Sequence, residues 1–178
     1  MSFQLAVVQD PPVLLDLEAS IDRATTQIEA LASEGAKLIV FPETYLPGYP
    51  SWVWRLRPGG DMALMKEIHE RLMANAVDLE ADGLALIRQA AADGGVTVVC
   101  GINELDGRYS RTTLYNTVVT IGADGSLLNR HRKLVPTNPE RMVWGRGDGS
   151  GLRVVDTPVG RIGSLICWEN YMPLARFA

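Results

Sequence analysis

The sequence is poor in cysteine and histidine, and this scarcity excludes several kinds of site. Its 178 residues contain only two cysteines and two histidines. A disulfide framework in a chain of this length would need more cysteines. No His/Cys pair has the spacing of metal ligands, so we expect no bound metal and no other cofactor. The low cysteine usage also predicts a reducing, cytoplasmic compartment.

Excess basic charge and long apolar runs are also missing. Lys and Arg total 17 against 21 Asp and Glu, which gives a formal net charge of −4. Proteins that bind nucleic acid through phosphate contacts are usually basic. No apolar run approaches the roughly 18–20 residues that cross a bilayer, and the first ten residues lack the basic region of a signal peptide. We therefore expect neither a nucleic-acid partner nor membrane association.

The remaining composition is that of a folded α/β protein. Apolar residues make up 47% of the chain and charged residues 21%, close to globular averages. Short apolar strands at 38–41 and 96–100 alternate with helical spacing, for example over 17–31, which predicts a layered α/β fold. Two hairpin signals follow, at 123–125 and 157–160. We interpret residues 1–178 as a single domain that is incomplete at its C-terminus.

Two polar residues at predicted strand ends have the chemistry of a hydrolytic site. Glu43 follows a buried strand in the tripeptide Phe-Pro-Glu, at the edge where α/β folds place ligands. Its apolar neighbours suit a general base that works near neutral pH, although an exposed loop glutamate is the structural alternative. Lys133 ends a run of cations that is typical of a solvated strand edge. Inside a pocket, the same lysine could stabilise a developing oxyanion.

Cys167 is the candidate nucleophile. It follows the last predicted strand, 161–166, and precedes a predicted helix, a placement that resembles the nucleophile elbow of serine hydrolases. A helix N-terminus would favour its thiolate form. A buried structural cysteine is the alternative, and Cys100, inside its own strand, fits that alternative. A Cys–His protease is disfavoured, because His69 is typical of a surface position and His131 lies in the basic run.

In this order, the segments around Glu43, Lys133 and Cys167 resemble the nitrilase superfamily of carbon–nitrogen hydrolases. That superfamily uses a Glu–Lys–Cys triad, and the resemblance assigns these three residues to it. The resemblance also implies a second glutamate after the lysine, at Glu140, and an oxyanion contact from the backbone N–H of Trp168. The family fold is an α-β-β-α sandwich, so we expect this α/β chain to form part of one.

A finer resemblance is to the true nitrilase branch. It rests on Cys-Trp-Glu-Asn at 167–170 and on the aromatic loop that follows Leu-Pro-Gly-Tyr-Pro at 46–50. This resemblance implies a thiol hydrolase that converts a nitrile to the carboxylic acid and ammonia through a covalent thioimidate and thioester on Cys167. Three aromatic residues are candidates for the substrate pocket, although loop aromatics more often serve packing. They are Tyr49, Trp52 and Trp54.

Other functions remain open from the sequence. An amidase or carbamoylase of the same superfamily would share the triad and start from an amide, and cyanide hydrolysis is a narrower variant. A non-catalytic α/β binding module could keep the motifs without activity. Glu169 is explained equally well by helix capping, since carboxylates are favoured in a first helical turn.

The expected substrate is a small nitrile, and the superfamily implies a homo-oligomer. A sheet that lacks its later strands exposes an unpaired edge and an apolar face. We therefore expect the 178-residue chain by itself to be poorly soluble or oligomeric, and at most weakly active.

Overall fold

One mixed sheet forms the centre of the structure, a computed structural model that describes residues 2–178. Its strands are β1 (Gln4–Val7), β2 (Ala36–Val40), β3 (Val77–Asp78), β4 (Thr97–Leu105), β5 (Leu114–Ile121) and β6 (Leu127–Arg132). Their order across the sheet is β1-β2-β4-β5-β6, with β3 beside β4. β1, β2 and β4 run parallel, whereas β5 and β6 are antiparallel to their neighbours.

Two helices, α1 (Leu17–Ser33) and α3 (Ala85–Gly94), cover one face of this sheet. The other α-helices within residues 2–178 are α2 (Met62–Ala74) and α4 (Pro173–Phe177). Ile28 of α1 and Ile87 of α3 are fully buried in one core cluster with Ile39 and Val98 of the sheet. The predicted helix-flanked α/β fold is thus confirmed. No helix within residues 2–178 combines the length and the hydropathy needed to span a membrane.

The first helix includes the predicted helical spacing over 17–31, and local interactions explain both of its ends. The Asp16 side chain accepts a hydrogen bond from the Ala19 N–H at 3.0 Å, which is an N-cap interaction. Beyond the other end, Gly35 has a φ of 97°, a conformation that glycine adopts without steric cost. These two signals fix α1 against the sheet, so that the loop after β2 starts from a defined position.

The opposite face of the sheet is apolar and only partly covered. Leu5 and Val7 of β1 are 52% and 63% exposed. A small second sheet, β7 (Val154–Thr157) with β8 (Gly160–Gly163), is connected to this side. The cavity between them is lined by Val40, Val99 and Val118 of the main sheet and by residues 163–167. The layers therefore form part of an α-β-β-α sandwich, as expected.

The segment that leads to Cys167 differs from the sequence prediction. We expected a strand through Ile166, but β8 ends at Gly163 because its ladder with β7 ends there. The predicted helix is a five-residue 3-10 helix, Cys167–Tyr171, and α4 begins only at Pro173. So short a turn carries little dipole, since the macrodipole sums over aligned peptides. The α-helix N-terminus expected directly after Cys167 is therefore replaced by this 3-10 helix, and the expected dipole at Cys167 is missing with it.

Gly101 of β4 allows the loop that carries Glu43 to pass directly against the sheet. A Cβ at this position would lie 2.4 Å from the Pro42 carbonyl oxygen and 2.7 Å from the Glu43 Cα. The backbone at both contacts would have to move. We expect Gly101→Ala to lower the free energy of unfolding by about 1–3 kcal/mol, measured by urea unfolding.

Gly60→Ala is the matched control, because the nearest atoms to its new Cβ belong to the Arg57 side chain, at 3.6 Å or more. This variant should unfold at nearly the parent urea concentration. Equal midpoints for the two variants would contradict the close approach at Gly101.

Candidate active site

Glu43 lies just beyond the carboxyl end of β2, on a loop that backbone hydrogen bonds fix to β4. The Phe41 N–H donates to the Val99 carbonyl at 2.8 Å, and the Leu46 N–H donates to the Gly101 carbonyl at 3.2 Å. The Glu43 side chain is 29% exposed. The loop thus directs a partly accessible carboxylate to the carboxyl edge of the sheet, as the sequence predicts.

Lys133 follows β6, and its side chain is only 1% exposed. Its Nζ donates to Glu43 Oε1 at 3.1 Å and to Glu140 Oε2 at 2.8 Å. Burial alone would lower the pKa of Lys133, but the hydrogen bond to Glu140 and the charges of both carboxylates outweigh it, so the pKa lies above its usual value. Lys133 is therefore a fixed buried cation, and the solvated-edge alternative does not describe it.

Glu140 provides the second carboxylate beside this lysine. It is buried on a 3-10 helix, Asn138–Met142, and also accepts hydrogen bonds from the Tyr49 O–H and the Thr137 N–H, both at 2.6 Å. Burial would raise the pKa of Glu140, but the bonds from Lys133, Tyr49 and Thr137 together bring it below its ordinary 4.5. Glu140 is thus an anion that balances the charge of Lys133.

Glu43 receives two hydrogen bonds on the same oxygen. Asn116 Nδ2 donates to Oε1 at 2.6 Å, and Lys133 Nζ donates to it at 3.1 Å. Within residues 2–178, Oε2 accepts no hydrogen bond, so it is available to take a proton. Asn116 was missed from the sequence; its only signal was a buried polar residue inside the apolar strand β5.

Cys167 lies at the same cavity as Glu43. The cavity has a volume of about 360 Å³, and Glu43, Asn116 and Cys167 all line it. Cys167 is an exposed free cysteine with a φ of 54°. Such left-handed geometry is strained for a residue with a side chain, and it concentrates at functional sites. The backbone N–H of Trp168 follows the thiol directly in sequence, whereas the Trp168 side chain is 61% exposed.

The turn after Cys167 is fixed by the buried carboxylate of Glu169. This carboxylate accepts hydrogen bonds from the Ile166 N–H at 2.8 Å, from the Leu134 N–H at 2.6 Å and from His131 Nε2 at 2.8 Å. Burial would raise the pKa of Glu169, but these three bonds bring it below its usual range. Capping, the alternative stated from the sequence, accounts for the Ile166 bond alone.

The three aromatic residues proposed as pocket walls occupy different places. The Tyr49 hydroxyl contacts Glu140, and Trp54 Nε1 donates to that hydroxyl at 2.9 Å. Trp52 is buried in a second apolar cluster with Val143 and others. The cavity at Cys167 is instead bordered by apolar residues of β2 and β4. A substrate contact from these aromatics therefore stays a prediction.

The arrangement contains the side chains that nucleophilic acyl-type chemistry needs. A thiol and a carboxylate with one unoccupied oxygen line one cavity, and a buried ammonium is hydrogen-bonded to that carboxylate. These are the parts that covalent catalysis requires. Within residues 2–178, no three His, Cys, Asp or Glu side chains are grouped so as to hold a metal ion.

Comparison with known proteins identifies the family. The sequence model of the carbon-nitrogen hydrolase family matches residues 4–178. A protein named Nitrilase 3, from an unknown prokaryotic organism, is 44% identical over 173 residues, covering 97% of this chain and 51% of that protein. An arylacetonitrilase from Aspergillus niger is 41% identical, covering 98% of this chain and 49% of its own length.

A solved structure agrees with the fold. The crystal structure of a carbon-nitrogen hydrolase from Helicobacter pylori G27 is similar, with a TM-score of 0.61 and 20% identity, and the similarity covers 97% of this chain and 53% of that one. This chain belongs to the carbon-nitrogen hydrolase family, so the resemblance stated from the sequence is confirmed. The chain spans about half the length of the curated relatives it matches.

The two cysteines should differ sharply in reactivity. Cys167 is exposed, whereas Cys100 is fully buried and its burial raises the pKa of the thiol to about 12. Because the thiolate is the reactive form, iodoacetamide at neutral pH should modify Cys167 and leave Cys100 unmodified until the protein unfolds. Peptide mass mapping measures this. Similar rates at the two thiols of the folded protein would contradict the arrangement.

The charge of Glu140 should contribute stability that depends on pH. Its pKa is lowered in the folded state, so its contribution is complete above the ordinary value of 4.5 and is lost as the pH falls through the folded value. Glu140→Gln breaks a buried ion pair and should cost about 3–5 kcal/mol at pH 6. Urea unfolding of both proteins should show this difference shrinking below pH 4.5.

The control for that titration is Glu29→Gln, at an exposed position on α1. It should leave the unfolding free energy nearly unchanged across the same pH range. A difference between parent and Glu140→Gln that stayed constant from pH 6 to well below 4.5 would show that the Glu140 charge does not stabilise the fold.

Proposed function

We propose that this chain carries the active site of a nitrilase, a thiol hydrolase that converts a nitrile and two water molecules to a carboxylic acid and ammonia. One observation carries the proposal: Glu43 and Cys167 line the same cavity, while Lys133 is bound between Glu43 and Glu140. The names of the relatives, Nitrilase 3 and arylacetonitrilase, support a nitrile as the substrate.

The first step forms a covalent bond to sulfur. Glu43 removes the proton of the Cys167 thiol, and the sulfur attacks the nitrile carbon. The proton passes from Glu43 to the nitrile nitrogen, which gives a neutral thioimidate. A soft thiolate suits this step because the nitrile carbon is a weak electrophile. Oε2 of Glu43 is the oxygen that would carry the proton, since Oε1 is occupied by Asn116 and Lys133.

Two hydrolytic steps complete the turnover. Glu43 takes a proton from a water molecule, whose hydroxyl adds to the thioimidate carbon while the nitrogen gains a proton. The resulting tetrahedral intermediate breaks its C–N bond and releases ammonia, with the hydroxyl proton leaving on the nitrogen. This leaves a thioester on Cys167. A second water, activated in the same way, cleaves the thioester to the carboxylic acid and restores the thiol.

Lys133 stabilises the charge that develops during these steps. A lysine ammonium has three N–H donors, and within residues 2–178 the two carboxylates account for two of them. We assign the third donor, together with the backbone N–H of Trp168, to the substrate atom that becomes negative. Glu140 keeps the ammonium charged and oriented. Tyr49 donates a hydrogen bond to Glu140 and so helps to hold that carboxylate beside Lys133.

Membership of the family supports a proposal about the substrate and the oligomeric state, and the low cysteine content supports one about the cellular location. We propose a small nitrile as the partner molecule, a homo-oligomeric assembly and a cytoplasmic location. An amidase of the same family would use the same residues with an amide, so the products and the relative rates distinguish the two functions.

Replacing the nucleophile should abolish turnover. In the full-length protein, Cys167→Ala is expected to release no ammonia from a panel of nitriles. Cys100→Ala, whose side chain is buried away from the cavity, should keep most of the activity. Chromatography of the products that the parent protein forms from nitriles should show mainly the carboxylic acid and little amide. Near-normal ammonia release by Cys167→Ala would refute the thiol mechanism, and faster turnover of amides than of nitriles would favour an amidase.

A further inference from the structure

The carboxylate of Glu169 joins the two chain segments that carry the proposed lysine and nucleophile. Its Oε1 accepts from the N–H of Leu134, at 2.6 Å, and its Oε2 accepts from the N–H of Ile166, at 2.8 Å. Leu134 follows Lys133 directly, and Ile166 directly precedes Cys167. Lys133 and Cys167 are therefore each one residue away from a backbone N–H that donates to the same buried carboxylate.

His131 adds a third bond to this carboxylate from inside the sheet. Its Nε2 lies 2.8 Å from Glu169 Oε2, and because a carboxylate ion only accepts, Nε2 is the donor. Side chains alternate along a strand, so His131 points to the same face of the sheet as Lys133. Its Nδ1 is buried and has no hydrogen-bond partner within residues 2–178. Within residues 2–178, the hydrogen bond to Glu169 is thus the only one that the His131 ring makes.

Capping of the local helix does not account for this arrangement. A capping carboxylate needs only the N–H groups of its own turn. The bonds from Leu134 and His131 come from residues 35 and 38 positions earlier in sequence. Glu169 is also 1% exposed, and a buried charge is costly unless its partners are in place. The bonds from Leu134 and His131 therefore bind the turn to the end of β6.

We propose that Glu169 and His131 are positioning residues that set the placement of the Cys167 thiol relative to Lys133. This inference rests on the nitrilase function proposed above. The left-handed backbone of Cys167, with φ of 54°, persists only where surrounding contacts over-determine it. The Glu169 bond at the preceding peptide is such a contact. Neither positioning residue lines the cavity at Cys167.

The test is Glu169→Gln, which places an amide N–H against backbone N–H donors. Misplacement of reacting groups by about 1 Å costs roughly 10²-fold in rate, so we expect kcat for a nitrile to fall by about that factor while KM changes much less. Amide hydrogen exchange should also become faster at Leu134 or at Ile166, because glutamine keeps only one of the two oxygens that accept from these N–H groups.

Glu104→Gln is the matched control. Glu104 is also fully buried and is bound by the side chains of Arg130, Arg132 and Thr117, on the other face of the sheet from Lys133. This variant should lose stability but keep kcat and the exchange rates of Leu134 and Ile166. His131 offers a second comparison, since His131→Gln retains an N–H donor and should keep more of kcat than His131→Leu.

Specific outcomes would overturn the proposal. Parent-like kcat in Glu169→Gln, an equal loss of kcat in Glu104→Gln, or no advantage of His131→Gln over His131→Leu would each do so. All kinetic measurements use the full-length protein, because the 178-residue chain by itself is expected to be at most weakly active. If that full-length parent releases no ammonia from nitriles, the proposed function fails, and hydrogen exchange then tests the role of the Glu169 bonds by itself. Faster exchange at Leu134 or Ile166 in Glu169→Gln, but at neither in Glu104→Gln, supports the proposal, and unchanged exchange at both amides in Glu169→Gln refutes it.

Discussion

The ammonium of Lys133 has almost no contact with water, so protein groups must balance its charge. Two carboxylates balance it: Glu43, on the loop after β2, and Glu140, on the 3-10 helix after β6. Breaking such a buried pair is strongly destabilising, so the lysine fixes the relative position of the two segments. The same contacts keep the lysine charged and place the Glu43 carboxylate at the cavity that Cys167 lines.

The sheet makes this arrangement possible. Parallel β1, β2 and β4 place the Glu43 loop at one edge, and the close approach at Gly101 holds that loop against β4. Antiparallel pairing of β5 with β6 then brings Asn116 next to Lys133, whose N–H donates to the Asn116 carbonyl at 2.8 Å. One wall of the cavity thus comes from the main sheet, and the other comes from the segment after β8 that carries Cys167, the proposed nucleophile.

The features that could be predicted from the sequence are those set by residues close to one another along the chain. The Asp16 cap, the glycine after α1 and the β5–β6 hairpin were all predictable, and so was Glu43 at the end of a buried strand. Asn116 and the bond between His131 and Glu169 were not, because they depend on strand register and on contacts between distant segments. The length of β8 was overestimated for a related reason: apolar composition favours a strand, but only a partner strand determines where its ladder ends.

The central claim is that the thiol of Cys167 forms a covalent bond to the substrate at this site. The most direct measurement is to quench the protein with acid during turnover of a nitrile, digest it, and map any adduct by mass spectrometry. We expect the peptide containing Cys167 to carry the added mass of a thioimidate or of the corresponding thioester, and Cys100 to carry none. Ammonia release with no adduct on Cys167, or with an adduct on another residue, would contradict it.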